Sequence, residues 1–284
     1  MEDEKREEKK RSITRILLWV GASALALLLF VGVANLVAPR AVQRVLVGAP
    51  TPPPTSPPAQ PKAAIIDQTG LSFPTPDFLA EAEAYLEAAG YVVDNYPPEE
   101  ITVDFLRTLP LKGYQLILFQ THATSEVMLE GEEERDTDAP PGPFLFTTEA
   151  YEQQRHVRLQ LEDQVRASRL FYEDSPLLFA VGPKFVRRSM RGTFPDSVII
   201  IGGCQSLAVP DLAQAFLDKG ASVVIGWDEM VNLAHNNKAV LRLLAAMTEE
   251  GLSVEEAVAK TMEEVAPDPS YGSSLDLLQR SAGS

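Results

Sequence analysis

Cysteine, histidine and positive charge are scarce in this chain, and each scarcity removes a class of function. A single cysteine, Cys204, excludes an intramolecular disulfide. Such a thiol is either buried and inert or reactive. The three histidines, His122, His156 and His235, stand far apart and supply no metal-ligand spacing, so no metal is expected. The pattern GxxxxGK[ST] is absent, which removes the phosphate loop, and no cofactor is expected. After residue 61 lie 35 of the 40 acidic residues but only 17 of the 25 basic ones, a balance of −18. That surface repels phosphate backbones and anionic lipid, so nucleic acid is not an expected partner.

Long apolar runs are also few, with one exception. Residues 16–37 read ILLWVGASALALLLFVGVANLV, 22 residues without a formal charge. At 1.5 Å per residue they span roughly 33 Å, enough to cross a hydrocarbon core. A cleaved signal peptide has a shorter apolar core and a small-residue cleavage site. Here Pro39 follows Ala38, and an uncleaved anchor is expected. Six basic residues precede the run (Lys5, Arg6, Lys9, Lys10, Arg11, Arg15), against Arg40 and Arg44 after it. The positive-inside rule then puts the N-terminus in the cytoplasm and the C-terminal domain on the extracytoplasmic side. Trp19 fits an interfacial anchor. The expected organisation is a cytoplasmic tail at 1–15, a transmembrane helix at 16–37, a Pro-rich linker at 38–61 and an α/β domain at 62–284, in a single-pass protein of the cell membrane. Seven prolines within residues 49–61 make a stiff spacer of up to about 40 Å.

Beyond the linker, apolar runs alternate with amphipathic ones. Residues 63–67, 91–95, 115–120, 197–202 and 222–227 have the form of buried parallel strands. Thr75 and Pro76 open a helix whose face carries Phe78, Leu79, Ala82, Tyr85, Leu86 and Ala89, closed by Gly90. Further helices are expected over 101–109, 210–219 and 233–250, with a last one from a Ser253/Glu256 capping box to Val265. Residues 144–146 read as a small outlying strand and 149–169 as a polar helix. The stretch 126–143, with seven carboxylates and Arg135, reads as a solvated loop. The pattern predicts an α/β domain with a mostly parallel sheet between two helical layers, and ligands bind such sheets at the carboxyl ends of strands.

Two reactive side chains follow apolar strands at that edge. His122 comes just after QLILFQ and Cys204 just after SVIIIGG. If these strands are neighbours, an imidazole and a thiol share one edge, the minimum for a thiol hydrolase. The imidazole handles a proton, the thiolate attacks a carbonyl, and backbone N–H groups hold the oxyanion. Gly202 and Gly203 permit close approach of backbone to substrate. The competing reading is a core cysteine and an exposed loop histidine. His156 is expected on the surface, and His235 and Asn236 are expected to cap or solvate a helix start.

The segments LILFQTHAT and VIIIGGCQS, with CQSLAVPDLAQAFLDKGASVVIGWDEMV, resemble the caspase-like superfamily of cysteine peptidases, which includes caspases, gingipains and CHAT domains. The resemblance covers about residues 62–265. It implies a three-layer αβα fold, a protein or peptide substrate, His122 as base, Cys204 as nucleophile, and the N–H groups of Ala123 and Cys204 as oxyanion donors. It also implies an acidic pocket for a basic side chain, with Asp67 the better candidate and Asp228 the second. The alternative for Asp67 is a turn or helix-dipole carboxylate. Ala123 stands where the superfamily has glycine. The acidic insertion precedes the cysteine, so processing at Arg135 does not follow. Three readings remain open: a membrane-tethered cysteine peptidase, an inactive caspase-like binding or sensing module on the same anchor, and an unrelated receptor-type α/β domain.

Overall fold

The chain folds, in order, as β1 (Lys62–Asp67), α1 (Pro76–Ala88), β2 (Val92–Tyr96), α2 (Val103–Thr108), β3 (Leu116–Gln120), β4 (Ala123–Thr124) and β5 (Phe144–Ala150). There follow α3 (Val157–Leu161), β6 (Val165–Ser168), β7 (Leu178–Val181), α4 (Pro183–Arg188), β8 (Val198–Ile201) and α5 (Asp211–Asp218). The last elements are β9 (Val223–Trp227), α6 (Leu233–Thr248), α7 (Val254–Val265) and β10 (Leu275–Gln279). The computed structural model describes residues 60–124, 143–170 and 174–280. The expected tail, the span 16–37, nearly all of the linker, and the acidic loop with Arg135 lie outside the described residues. Among the described residues no helix is long and apolar enough to cross a membrane.

Six strands form one sheet in the order β10-β9-β8-β3-β1-β2, and every pairing is parallel except that of β10 with β9. Side-chain alternation sends successive residues to opposite faces. Ala64, Ile66, Ile117, Phe119, Ile199 and Ile201 pack on one face with Val103 and Leu106 of α2, Phe185 of α4 and Phe216 of α5. Ala63, Ile65, Leu116, Leu118 and Ile200 pack on the other with Phe78, Ala82 and Leu86 of α1 and with α6 and α7. The expected mostly parallel sheet with helices on both faces is present. The capping box is too: Glu256 N–H donates to Ser253 Oγ (3.3 Å) and Ser253 N–H to the Glu256 carboxylate (3.0 Å).

The helix expected over 149–169 does not form. Instead β5 runs on to Ala150, a short helix follows, and β6 pairs with β7 in a second, antiparallel sheet of order β4-β5-β7-β6. His156 and Asp163 take left-handed backbone angles (φ 53° each) that bracket α3 and stop its propagation. Glu149 is drawn inward, where its carboxylate accepts the Val103 N–H at 2.9 Å. Leu145, Val165, Phe179 and Val181 of this sheet pack into the same apolar cluster as Ile117 and Phe119. The second sheet therefore buttresses the carboxyl edge of the first.

Candidate functional site

Strands β3 and β8 are direct parallel neighbours, with Phe119 opposite Ile201. The chain beyond each strand continues in the same direction. Gly202 N–H donates to the Phe119 carbonyl at 2.8 Å. At Gly203 the two loops touch: a Cβ there would lie 2.6 Å from the Thr121 carbonyl oxygen and 3.0 Å from the Ala123 Cβ. Only glycine allows that approach, and it seats the loop of Cys204 against the loop of His122.

His122 is held from the side of β1 and β5. Its N–H donates to Gln68 Oε1 (2.8 Å), and its carbonyl accepts the Phe146 N–H (3.0 Å). The ring meets Phe73 and Phe146 edge-on, at centroid distances of 5.9 and 6.1 Å. Nε2 is buried without a hydrogen-bond partner. Burial holds the imidazole pKa down at about 4, so the ring is neutral at pH 7.

Cys204 is held from the opposite side. Its Sγ lies 3.5 Å from both the N–H nitrogen and the carbonyl oxygen of Val231, in the loop between β9 and α6. Burial pushes the thiol pKa up; the Val231 N–H opposes that rise, and the Asp268 charge adds to it. Burial alone would raise Asp268 as well, but the N–H groups of Asn232, Ser270 and Tyr271 outweigh it and keep the carboxyl low. Gln205 follows in the left-handed region (φ 54°), with its N–H on the Glu229 carbonyl at 2.9 Å. Among the described residues no hydrogen bond joins His122 to Cys204. The loops are brought together; the two side chains are each engaged separately.

Of the two amides expected to stabilise an oxyanion, that of Ala123 lies 3.3 Å from the position of a Cβ on Gly203. The β4–β5 pairing at this point uses the Phe146 N–H and the His122 carbonyl rather than the Ala123 N–H. The Cys204 N–H belongs to the facing loop and, with that of Val231, counters the effect of burial on the thiol. The expected substrate carboxylates both have structural partners. Asp67 is buried, accepts the Gly70 N–H (2.9 Å) and the Thr69 hydroxyl (3.3 Å), and burial raises its pKa. Asp228 is exposed and accepts the Ser274 N–H at 2.7 Å, fixing the approach to β10.

His156 is not a surface residue as expected. Its ring is largely buried, edge-on to Phe179 at 5.0 Å and 2.6 Å from the Glu149 carboxylate, which also takes Arg155 at 2.8 Å. The cap of α6 is Asn232, whose side chain accepts the Ala234 N–H. His235 instead reaches the Ala266 carbonyl at 3.1 Å, and Asn236 is buried. Beneath Gly202, Asn236 links the Trp227 indole N–H (2.8 Å) to Gln120 (3.1 Å), and Gln120 donates to Asn237 (2.8 Å). Sequence reasoning missed this polar floor, and it missed Gln68, Val231 and Asp268. The one local signal was the turn sequence DQTG after β1.

No protein-family profile matches the chain, and no curated protein matches it. Fourteen chains of solved structures do match. One is the crystal structure of the Arg-specific cysteine proteinase gingipain R, to which this chain is similar at 11% identity with a TM-score of 0.38. The alignment covers 72% of this chain and 42% of that one, so the present chain spans less than half the length of that proteinase.

Proposed function

We propose that this protein is a membrane-tethered, caspase-like cysteine peptidase acting on protein or peptide substrates. The observation that supports the reading is the seating of Gly203 against Thr121 and Ala123, which brings the loop that carries Cys204 against the loop that carries His122, each following one of two adjacent parallel strands. In this reading Cys204 Sγ adds to the scissile carbonyl carbon as its proton passes to His122. The N–H groups of Ala123 and Cys204 take the developing oxyanion. The C–N bond breaks and the amine departs with the proton from His122. Water then adds to the thioester as His122 accepts its proton. The C–S bond breaks, the acid is released, and that proton returns from His122 to Cys204 Sγ.

Burial discharges both partners in the free domain: the thiol is pushed up and the imidazole down. A standing thiolate–imidazolium pair is therefore disfavoured, and proton transfer belongs to the bound state, after Sγ leaves Val231. Of the two carboxylates, Asp228 is exposed and Asp67 is buried. The anchor at residues 16–37 would hold this edge near the outer membrane face, with the N-terminus cytoplasmic.

The test is hydrolysis of a fluorogenic peptide library by the full-length protein and by Cys204→Ala. Turnover that disappears in the variant supports the reading. Equal turnover, or none with any peptide, favours the second reading, an inactive caspase-like binding module on the same anchor. That alternative draws support from the bonds of Cys204 Sγ to Val231 rather than to His122.

A further inference from the structure

Gln68 follows β1 directly and is 2% exposed, yet its backbone N–H and both ends of its side-chain amide are in use. Its backbone N–H donates to the Gln120 carbonyl at 2.8 Å, tying the end of β1 to the end of β3. Its Oε1 accepts the His122 N–H at 2.8 Å and lies 3.3 Å from the Thr121 hydroxyl. Its Nε2 donates to the Thr147 carbonyl of β5 at 3.3 Å. One side chain thus spans the two sheets and fixes the backbone on which His122 stands. Among the described residues the imidazole Nε2 has no hydrogen-bond partner, and the ring meets Phe73 and Phe146 edge-on. A buried amide that satisfies three partners in two separate segments is costly to replace, because each partner is left unpaired in turn.

We infer that Gln68 is the positioning residue for His122, acting through the amide bridge from Oε1 to the His122 N–H and from Nε2 to the Thr147 carbonyl. This rests on the peptidase reading in one respect: it assumes that the direction of the imidazole governs the reactivity of Cys204. A purely structural glutamine would affect folding without discriminating between proteins that have His122 and proteins that lack it.

The experiment is alkylation of Cys204, the sole cysteine, by iodoacetamide in the full-length protein. Four proteins form a cycle: wild type, His122→Ala, Gln68→Met and the double variant. Methionine keeps the length of the side chain and removes its hydrogen bonds. The expected result is that Gln68→Met slows alkylation about tenfold when His122 is present and changes it by less than about twofold in the His122→Ala background. Equal slowing in both backgrounds, or no slowing in either, overturns the inference. Should Gln68→Met not fold, Gln68→Glu keeps an acceptor for the His122 N–H and places a negative charge against the backbone of His122. The His122-dependent part of the pH profile should then move to higher pH, and an unmoved profile overturns the inference. If His122→Ala alone leaves the wild-type rate unchanged, the peptidase reading fails and takes this inference with it. Slowing by His122→Ala without slowing by Gln68→Met removes the inference alone.

Discussion

The two loops that meet at Gly203 are built by different means. The His122 loop is fixed by side chains, with Gln68 bridging it to β5 and Phe73 and Phe146 flanking the ring. The Cys204 loop is fixed largely through backbone, with Sγ against both polar groups of Val231, the Gln205 N–H on Glu229, and Asp268 organising the neighbouring turn. Side-chain bridges can be cut one at a time by substitution, whereas a backbone cradle survives most single changes. The histidine side is therefore where this edge can be retuned, and the cysteine side is where its geometry is preserved. Both loops hold their reactive group half-buried, and that burial drives both toward the uncharged form.

The largest expected effect comes from removing either reactive group. On a peptide that the wild type cleaves, Cys204→Ala should lower kcat/KM by at least about a thousandfold. His122→Ala should lower it by about 10² to 10⁴. Similar losses from the two would mean that they act as one unit. A normal rate in His122→Ala would break the comparison by leaving the thiol to act alone.

Next in size is an acid sensitivity of folding. His122 titrates at about 4 in the folded protein against 6.5 unexposed to the fold. Between those values the unfolded chain holds the proton and the folded chain does not, so stability rises with pH across the window. As pH falls from 6.5 toward 4, about 3 kcal/mol should be lost. Urea unfolding at several pH values should show that slope, and His122→Phe should flatten it. The raised thiol of Cys204 produces no change in this range.

Gly203→Ala tests the contact between the loops. The new methyl meets a backbone carbonyl that cannot turn aside. A cost of about 1–3 kcal/mol in thermal or urea unfolding is expected, with activity falling further than stability as the loops part. The smallest effect should come from Asp67→Asn. Asparagine can still accept the Gly70 N–H in the same turn, so stability should change by less than about 1 kcal/mol and substrate preference should hold. A clear loss of preference for basic peptides in that variant would return Asp67 to the substrate pocket.

The parallel sheet was legible because β1, β3, β8 and β9 are buried on both faces and read as unbroken apolar runs such as VIII and LILF. The positions of His122 and Cys204 followed from those runs. Of the second sheet only the strand at 144–146 was legible. The rest of β5 and β6 mix polar and apolar residues in a stretch compatible with a helix, and their conformation is decided by pairing with β7. Strand β10 (LDLLQ) is short and half-exposed, and it owes its place to antiparallel pairing with β9. Gln68 and Val231 act across 54 and 27 residues of sequence, through bonds to the His122 amide and the Cys204 sulfur. No periodicity carries such contacts. At Asp67 the sequence left two readings, a pocket carboxylate and a turn carboxylate, and the bonds to Gly70 and Thr69 display the turn role.

The central claim is that His122 and Cys204 work together, and a thiol-directed peptidyl chloromethyl ketone tests it most directly. The full-length protein and His122→Ala would be treated side by side, and the rate and site of modification followed by mass spectrometry. The account predicts a single adduct on Cys204 in the wild type, forming at least about tenfold faster than in His122→Ala. Equal, slow labelling of the two proteins would contradict it and leave Cys204 as an inert thiol of the core.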